Sequence, residues 1–281
     1  MTTKHSQVKP PAPAAASARH APGAALTIAG MDSSGGAGIA ADLRTFQAHG
    51  LHGAAAVTAL TAQNAAGVQS CRLVPATLVG EQIRSAVTGV TPAAVKTGML
   101  GNRAIVAAVA AELTTAALPL VVDPVIVATS GARLLAPSAV TTLCRRLLPL
   151  ATVVTPNLPE LEALSGHPVS TPAAQRTAAR ILLDFGCSAV LVKGGHGRGR
   201  LIYDRLITAD GVENVFPHPR LAGQYHGTGC TLSAHLCAAL ARGAGLEAAT
   251  AAAITALTNL LAGAWPAPVG KLYYLPPWPA E

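Results

Sequence analysis

Charge is scarce in this chain. Only 12% of its 281 residues are Asp, Glu, Lys or Arg, aromatic residues make up 3%, and apolar residues supply about half. That balance excludes an intrinsically disordered protein and predicts a compact fold with a sizeable core. No basic run interleaved with aromatics occurs, so nucleic acid is not an expected partner. Three of the seven excess positive charges, Lys4, Lys9 and Arg19, fall within residues 1–23, which hold no acid, and the others are scattered. An anionic small molecule fits better. No Cys-x-x-Cys pair exists, and none of Cys71, Cys144, Cys187, Cys230 and Cys237 stands at a zinc-like spacing from a histidine. An odd number of scattered cysteines, without a signal peptide, predicts a reducing cytoplasm. Residues 1–23 lack an apolar signal segment and are dense in Pro, Ala and Ser, which reads as a flexible tail. One long uncharged stretch, Ala248 to Pro266, is mostly Ala and Thr. It is too weakly hydrophobic for a membrane span and predicts a buried helix.

From Ala25 onward, short apolar runs alternate with helical patterns. Strand character falls on Leu26–Ala29, Ala55–Leu60, Ala94–Val95, Leu120–Val122, Thr152–Thr155 and Ala189–Val192. Helical segments are expected at Ile39–His49, Leu78–Thr88, Arg103–Thr115, Ala136–Leu148 and Ala173–Phe185. Continuously apolar strands alternating with helices predict a mostly parallel sheet covered on both faces. Residues 24–263 contain no repeat and no linker, so they read as one domain, followed by an extension over 264–281.

Ligands of such sheets gather at the carboxyl ends of the strands. There the sequence places Gly30 to Gly38, Thr61-Ala62-Gln63-Asn64, Lys96-Thr97-Gly98-Met99, Asp123-Pro124-Val125, Thr155 to Glu160 and Lys193-Gly194-Gly195-His196. The pattern at Gly36-Ala37-Gly38-Ile39-Ala40-Ala41 matches a dinucleotide fingerprint, but the acid that fingerprint needs after the second strand is absent. No G-x-x-x-x-G-K-[ST] occurs, which excludes a P-loop enzyme. His226-Gly227-Thr228-Gly229-Cys230 opens a helix, and the N–H groups of such a turn form an anion site. A thiol there is expected to have a lowered pKa and to act as base or nucleophile. The alternative is an ordinary glycine-rich loop with Cys230 as a small buried hydrophobe. Asn157 and Glu160 share a helical face after a strand, which suits magnesium or its water shell and also a capping box. Asp123 is a buried strand-end carboxylate, or a turn residue before Pro124.

The segments ALTIAGMDSSGGAGIAADLRTF, VTALTAQN, VKTGML, VVDPV, TVVTPNLPE, VLVKGGH and HGTGCTLSA, in this order, resemble the hydroxymethylpyrimidine/phosphomethylpyrimidine kinases of thiamine synthesis. That family belongs to the ribokinase-like superfamily, and the resemblance covers about residues 25–245. It implies a three-layer α/β kinase using ATP and Mg²⁺. Its acceptor would be 4-amino-5-hydroxymethyl-2-methylpyrimidine, and then the monophosphate so formed. Carried over residue by residue, the anion hole falls on Gly227, Thr228, Gly229 and Cys230, the last of them in the place of the base. The pyrimidine pocket falls on Gln63, with Gly30, Asp42 and Met99 lining it. The magnesium motif falls on Asn157 and Glu160, and the ATP site on Lys193, Thr155 and Asp123. Between residues 10 and 270 the only lysines are Lys96 and Lys193, both at strand ends. A homodimer is expected. The chain departs from the family at Ile126, where methionine is usual, at Thr129, where lysine is usual, and at Tyr225, where threonine is usual. If that lysine steadies phosphate, the second phosphorylation is expected to be weak. A pyridoxal or pyridoxine kinase would share these loops, and Gln63 favours the pyrimidine. A cysteine-dependent hydrolase, or a non-catalytic pyrimidine or nucleotide sensor, would give Cys230 another role.

Overall fold

The inner strands are apolar at every position, and alternate side chains point to opposite faces, so each face must be covered. A computed structural model describes residues 23–128, 131–197 and 199–276. In it β1 (Ala24–Asp32), β2 (His52–Asn64), β3 (Gly67–Leu73), β4 (Ala94–Thr97), β5 (Leu120–Val122), β6 (Val153–Val154), β7 (Ala189–Val192), β8 (Leu201–Thr208) and β9 (Glu213–Pro219) form one sheet. Its order is β3-β2-β1-β4-β5-β6-β7-β8-β9. The stretch from β2 to β7 is parallel, whereas β3, β8 and β9 add antiparallel edges.

Helices α2 (Ala76–Val90), α3 (Arg103–Ala116), α4 (Pro137–Thr142), α5 (Leu158–Ser165) and α6 (Pro172–Leu183) bury one apolar cluster with Leu26, Ile28, Val95, Val122, Val154 and Val190. Helices α1 (Gly38–Ala48), α7 (Thr228–Ala241) and α8 (Leu246–Ala262) bury another with Ala25, Ala94, Val121, Val153 and Leu191. Strand neighbours thus serve opposite cores, and the three-layer α/β architecture follows. The helix expected over Ala136–Leu148 stops at Thr142. A π-helical turn, Leu143–Leu147, and a 3-10 turn, Leu148–Leu150, replace its end. Pro149 removes a backbone donor there. The buried helix expected in the uncharged stretch is α8, and among the described residues no helix is long and apolar enough to cross a membrane.

Past α8, β11 (Trp265–Pro266) and β12 (Leu272–Tyr274) join β10 (Gln224–Tyr225), the segment just before His226, in a small second sheet ordered β10-β12-β11. The extension therefore packs against the loop that opens α7. Thr129 and Arg198 lie outside the described residues.

Candidate active site

The β1–β2 pairing shifts register between Ala29 and Gly30, which places a glycine at the end of the strand. A Cβ on Gly30 would approach the Met99 sulfur to 3.1 Å, so these two expected pocket residues are neighbours. The chain then turns back at Gly38, whose φ of 56° would put a Cβ 2.2 Å from the Gly30 carbonyl oxygen. Gly227 has φ 77°, and a Cβ there would lie 1.9 Å from the Gly36 oxygen. Only glycine tolerates both demands. The loop after β1 and the loop before α7 therefore meet backbone to backbone.

Asp32 locks this junction. Its Oδ1 accepts from Ser34 N at 2.8 Å and Ser34 Oγ at 2.9 Å, and its Oδ2 accepts from Ala37 N at 2.9 Å. His226 Nε2 lies 2.7 Å from the same Oδ2. Burial opposes the charge on Asp32, but the hydrogen bonds from His226 and Ser34 hold its carboxyl below the ordinary range. Gln63, next to last in β2, has its side-chain Nε2 3.4 Å from His226 Nε2, and Ser33 Oγ bonds its backbone. The Tyr274 ring closes the group edge-on against His226, 5.8 Å between centroids.

Gly227 caps α7 without help from any side chain, so the first-turn N–H groups after it are open to an anion at the positive end of the helix. Gly229 sits over a second cluster. A Cβ on it would be 3.3 Å from Lys193 Nζ and 3.5 Å from Asp123 Oδ2. Lys193 Nζ is 3.0 Å from Asp123 Oδ1 and 4.0 Å from Glu160 Oε2. Thr155 Oγ1 reaches Asp123 Oδ1 at 3.3 Å, and Ser233 Oγ reaches Asp123 Oδ2 at 3.2 Å. Burial acts against the Lys193 charge, yet Asp123 and Glu160 keep its ammonium above the ordinary range. Two residues past Asp123 the backbone is strained, since Val125, a β-branched residue, has φ 27°.

Asn157 and Glu160 form a complete capping box. Asn157 Oδ1 accepts from Glu160 N, and Glu160 Oε2 accepts from Asn157 N, each at 2.9 Å. Burial pushes the Glu160 carboxyl up, and the nearby Asp123 charge adds to the rise against the pull of Lys193. Among the described residues no group of three or more His, Cys, Asp or Glu is placed to hold a metal ion.

Two expectations are corrected. The Cys230 thiol is pushed up to about 11, not down, because burial outweighs the helix start, Lys96 and the Gly38 N–H. Asp42, expected to line the pocket, is completely buried, with Lys96 Nζ at 2.8 Å and Thr27 Oγ1 at 2.6 Å. It presents no surface to a ligand. The sequence-based expectations quote the segments that hold Asp32, His226 and Ser233 but assign these three side chains no role. Only Ser233 carries a local signal, four residues past Gly229 on the same helix.

The family model described as phosphomethylpyrimidine kinase matches residues 32–273. Over 231 residues the chain is 46% identical to the hydroxymethylpyrimidine/phosphomethylpyrimidine kinase of Rhizobium meliloti (strain 1021), covering 82% of this chain and 86% of the relative. The crystal structure of phosphomethylpyrimidine kinase from Clostridium difficile 630 superposes with a TM-score of 0.76 at 36% identity, covering 85% of this chain and 99% of that one. An ADP complex of Bacillus subtilis pyridoxal kinase superposes with a TM-score of 0.83 at 33% identity, covering 91% and 97%.

Proposed function

From the chain's membership of the phosphomethylpyrimidine kinase family, we propose how its sheet edge divides the labour of ATP-dependent phosphoryl transfer. The acceptor is 4-amino-5-hydroxymethyl-2-methylpyrimidine, in thiamine biosynthesis, and then its monophosphate. Gly30, Gln63 and Met99 receive the pyrimidine, and Lys193, Thr155 and Asp123 serve the triphosphate. Between them the α7 opening, Gly227 to Cys230, faces the transferred phosphoryl group. One observation carries this reading: Gly229 stacks the open helix start directly on the Lys193–Asp123 pair, so N–H dipoles and an ammonium converge.

Phosphoryl transfer is mostly alignment and stabilisation of charge on the leaving and equatorial oxygens. Fixed N–H groups at 228–230 and a lysine already held in place supply that without reorganising. The Glu160 and Asp123 carboxylates suit Mg²⁺, because they are hard oxygen donors whose joint charge Lys193 does not fully offset. When bound with the phosphates, the ion would neutralise part of their charge. Asn157 would hold Glu160 in place for it. Cys230 would take the hydroxymethyl proton in the first step, acting through its thiolate. The monophosphate is already anionic near neutral pH and needs no base.

We further infer a homodimer in the cytoplasm; Met31, Leu60 and Leu73, exposed on the neighbouring strands β1, β2 and β3, support the dimer. The likeness to pyridoxal kinase folds makes pyridoxal the competing acceptor, and the Gln63 amide favours an aminopyrimidine. The test is ADP release with Mg·ATP and each acceptor, following monophosphate and diphosphate over time. Turnover is expected with the hydroxymethylpyrimidine, and faster turnover of pyridoxal overturns the assignment. Thr129→Lys is expected to raise diphosphate relative to monophosphate.

A further inference from the structure

Gln63 can recognise a ring only if its amide points the right way round. The two ends of a carboxamide have the same shape, and the surrounding hydrogen bonds decide which is oxygen and which is nitrogen. Here the decision starts two side chains away. Asp32 takes hydrogen bonds from Ser34 N, Ser34 Oγ and Ala37 N, donors that favour its anionic form. An anionic carboxylate only accepts, so the 2.7 Å contact to His226 requires a proton on His226 Nε2. That holds for neutral and charged imidazole alike. A protonated Nε2 cannot accept from an amide NH₂. The near end of the Gln63 amide, placed as Nε2 at 3.4 Å, cannot donate to that nitrogen. With the amide turned over, its carbonyl oxygen shares the same N–H and the NH₂ faces away from His226.

We propose that His226, held by Asp32, is a positioning residue that orients the Gln63 amide, so that its NH₂ donates to an unprotonated ring nitrogen of the acceptor. The surroundings hold the imidazole for this task. Its backbone N–H bonds the Tyr273 oxygen at 2.9 Å, Tyr274 packs on its ring, and a Cβ on Gly36 would collide with its Cδ2 at 2.2 Å. The His226 side chain is also only 7% exposed, so water cannot easily replace its N–H. Asp32 and His226 are 194 residues apart, so the orientation of Gln63 depends on the β1 loop and the α7 loop being docked.

The proposal rests on the kinase reading above, and the experiment separates the two. ADP release by the unaltered protein with hydroxymethylpyrimidine tests that reading. The positioning role is tested by His226→Leu, which is expected to raise the acceptor KM about tenfold while leaving the ATP KM within about twofold. His226→Gln places an N–H near the Nε2 position and is expected to restore most of the acceptor KM. In a Gln63→Ala background, His226→Leu should add less than about twofold, because the two act as one unit. Additive losses, or equal weakening of acceptor and ATP, overturn the proposal. In the ligand-free protein the Gln63 side-chain amide NMR signals give an answer independent of any acceptor. They are expected to shift in His226→Leu and to return in His226→Gln, and unchanged signals in both variants overturn it. The Gln variant also guards against misfolding of the Leu variant.

Discussion

Two lysines stand at strand ends of one sheet, each against an aspartate, yet their surroundings differ. Lys96 and Asp42 are 0% exposed, whereas the Lys193 side chain keeps 14% of its surface. Burial alone would drive the proton from Lys96, and Asp42 holds the ammonium above its ordinary range. Thr27 adds one bond to Asp42 Oδ2, but Asp42 Oδ1 has no hydrogen-bond partner, so desolvation of the pair is only partly offset. Lys193 shares Asp123 with Thr155 and Ser233, and a phosphate can compete for its remaining donors. The sealed pair acts on the Cys230 thiol through its charges, and in the proposed reading the open pair exchanges partners with the phosphates. On that reading the same residue types serve packing in one place and ligand exchange in the other.

The largest effect is expected from breaking the sealed pair. Lys96→Met leaves Asp42 buried and alone and should cost about 3–5 kcal/mol, read as a lowered urea midpoint. Adding Asp42→Leu should recover most of that loss, and a double variant no better than the single one would contradict the assignment. Breaking the open pair should do the reverse. Lys193→Met is expected to lower kcat/KM for ATP about 10²–10³-fold, as for removal of a fixed stabilising charge, with little change in the urea midpoint.

The smallest and most specific effect concerns the group between the pairs. With its pKa near 11, the Cys230 thiol is protonated at neutral pH, and about one molecule in ten thousand carries the thiolate at pH 7. If that thiolate is the base, the first phosphorylation speeds up about tenfold per pH unit through the neutral range, where chemistry limits the rate. The sign follows from a raised acid pKa: raising pH fills the active form. Cys230→Ala should be slower and pH-independent over the same range, and the second phosphorylation should show no such slope. A flat profile in the unaltered enzyme would remove Cys230 from the proton path.

Much of the scaffold is legible because its signals are local. The runs Leu120–Val122 and Ala189–Val192 coincide with β5 and β7, and the Arg103 helix start with its Asn102 cap is observed. The Asn157–Glu160 capping box is likewise visible, since its partners are three residues apart. The antiparallel strands β3, β8 and β9 escape such reading. Their exposed positions break the apolar run, and β9 contains Pro217 and Pro219, which only an edge tolerates.

By itself the sequence determined the layered α/β class and the ligand edge, because continuous apolar strands and glycine-rich strand ends have one economical arrangement. The resemblance carried by the strand-end and helix-start motifs then singled out Lys193, Asp123 and Cys230 as site candidates. Tertiary structure alone decided what those groups face. Lys193 meets Asp123 across 70 residues and Ser233 meets Asp123 across 110, with no periodic pattern to announce either contact. The Cys230 proton affinity was reversed in the same way. The helix start that would lower it is local and readable, but the burial that raises it comes from packing between distant segments, and only the folded chain supplies that.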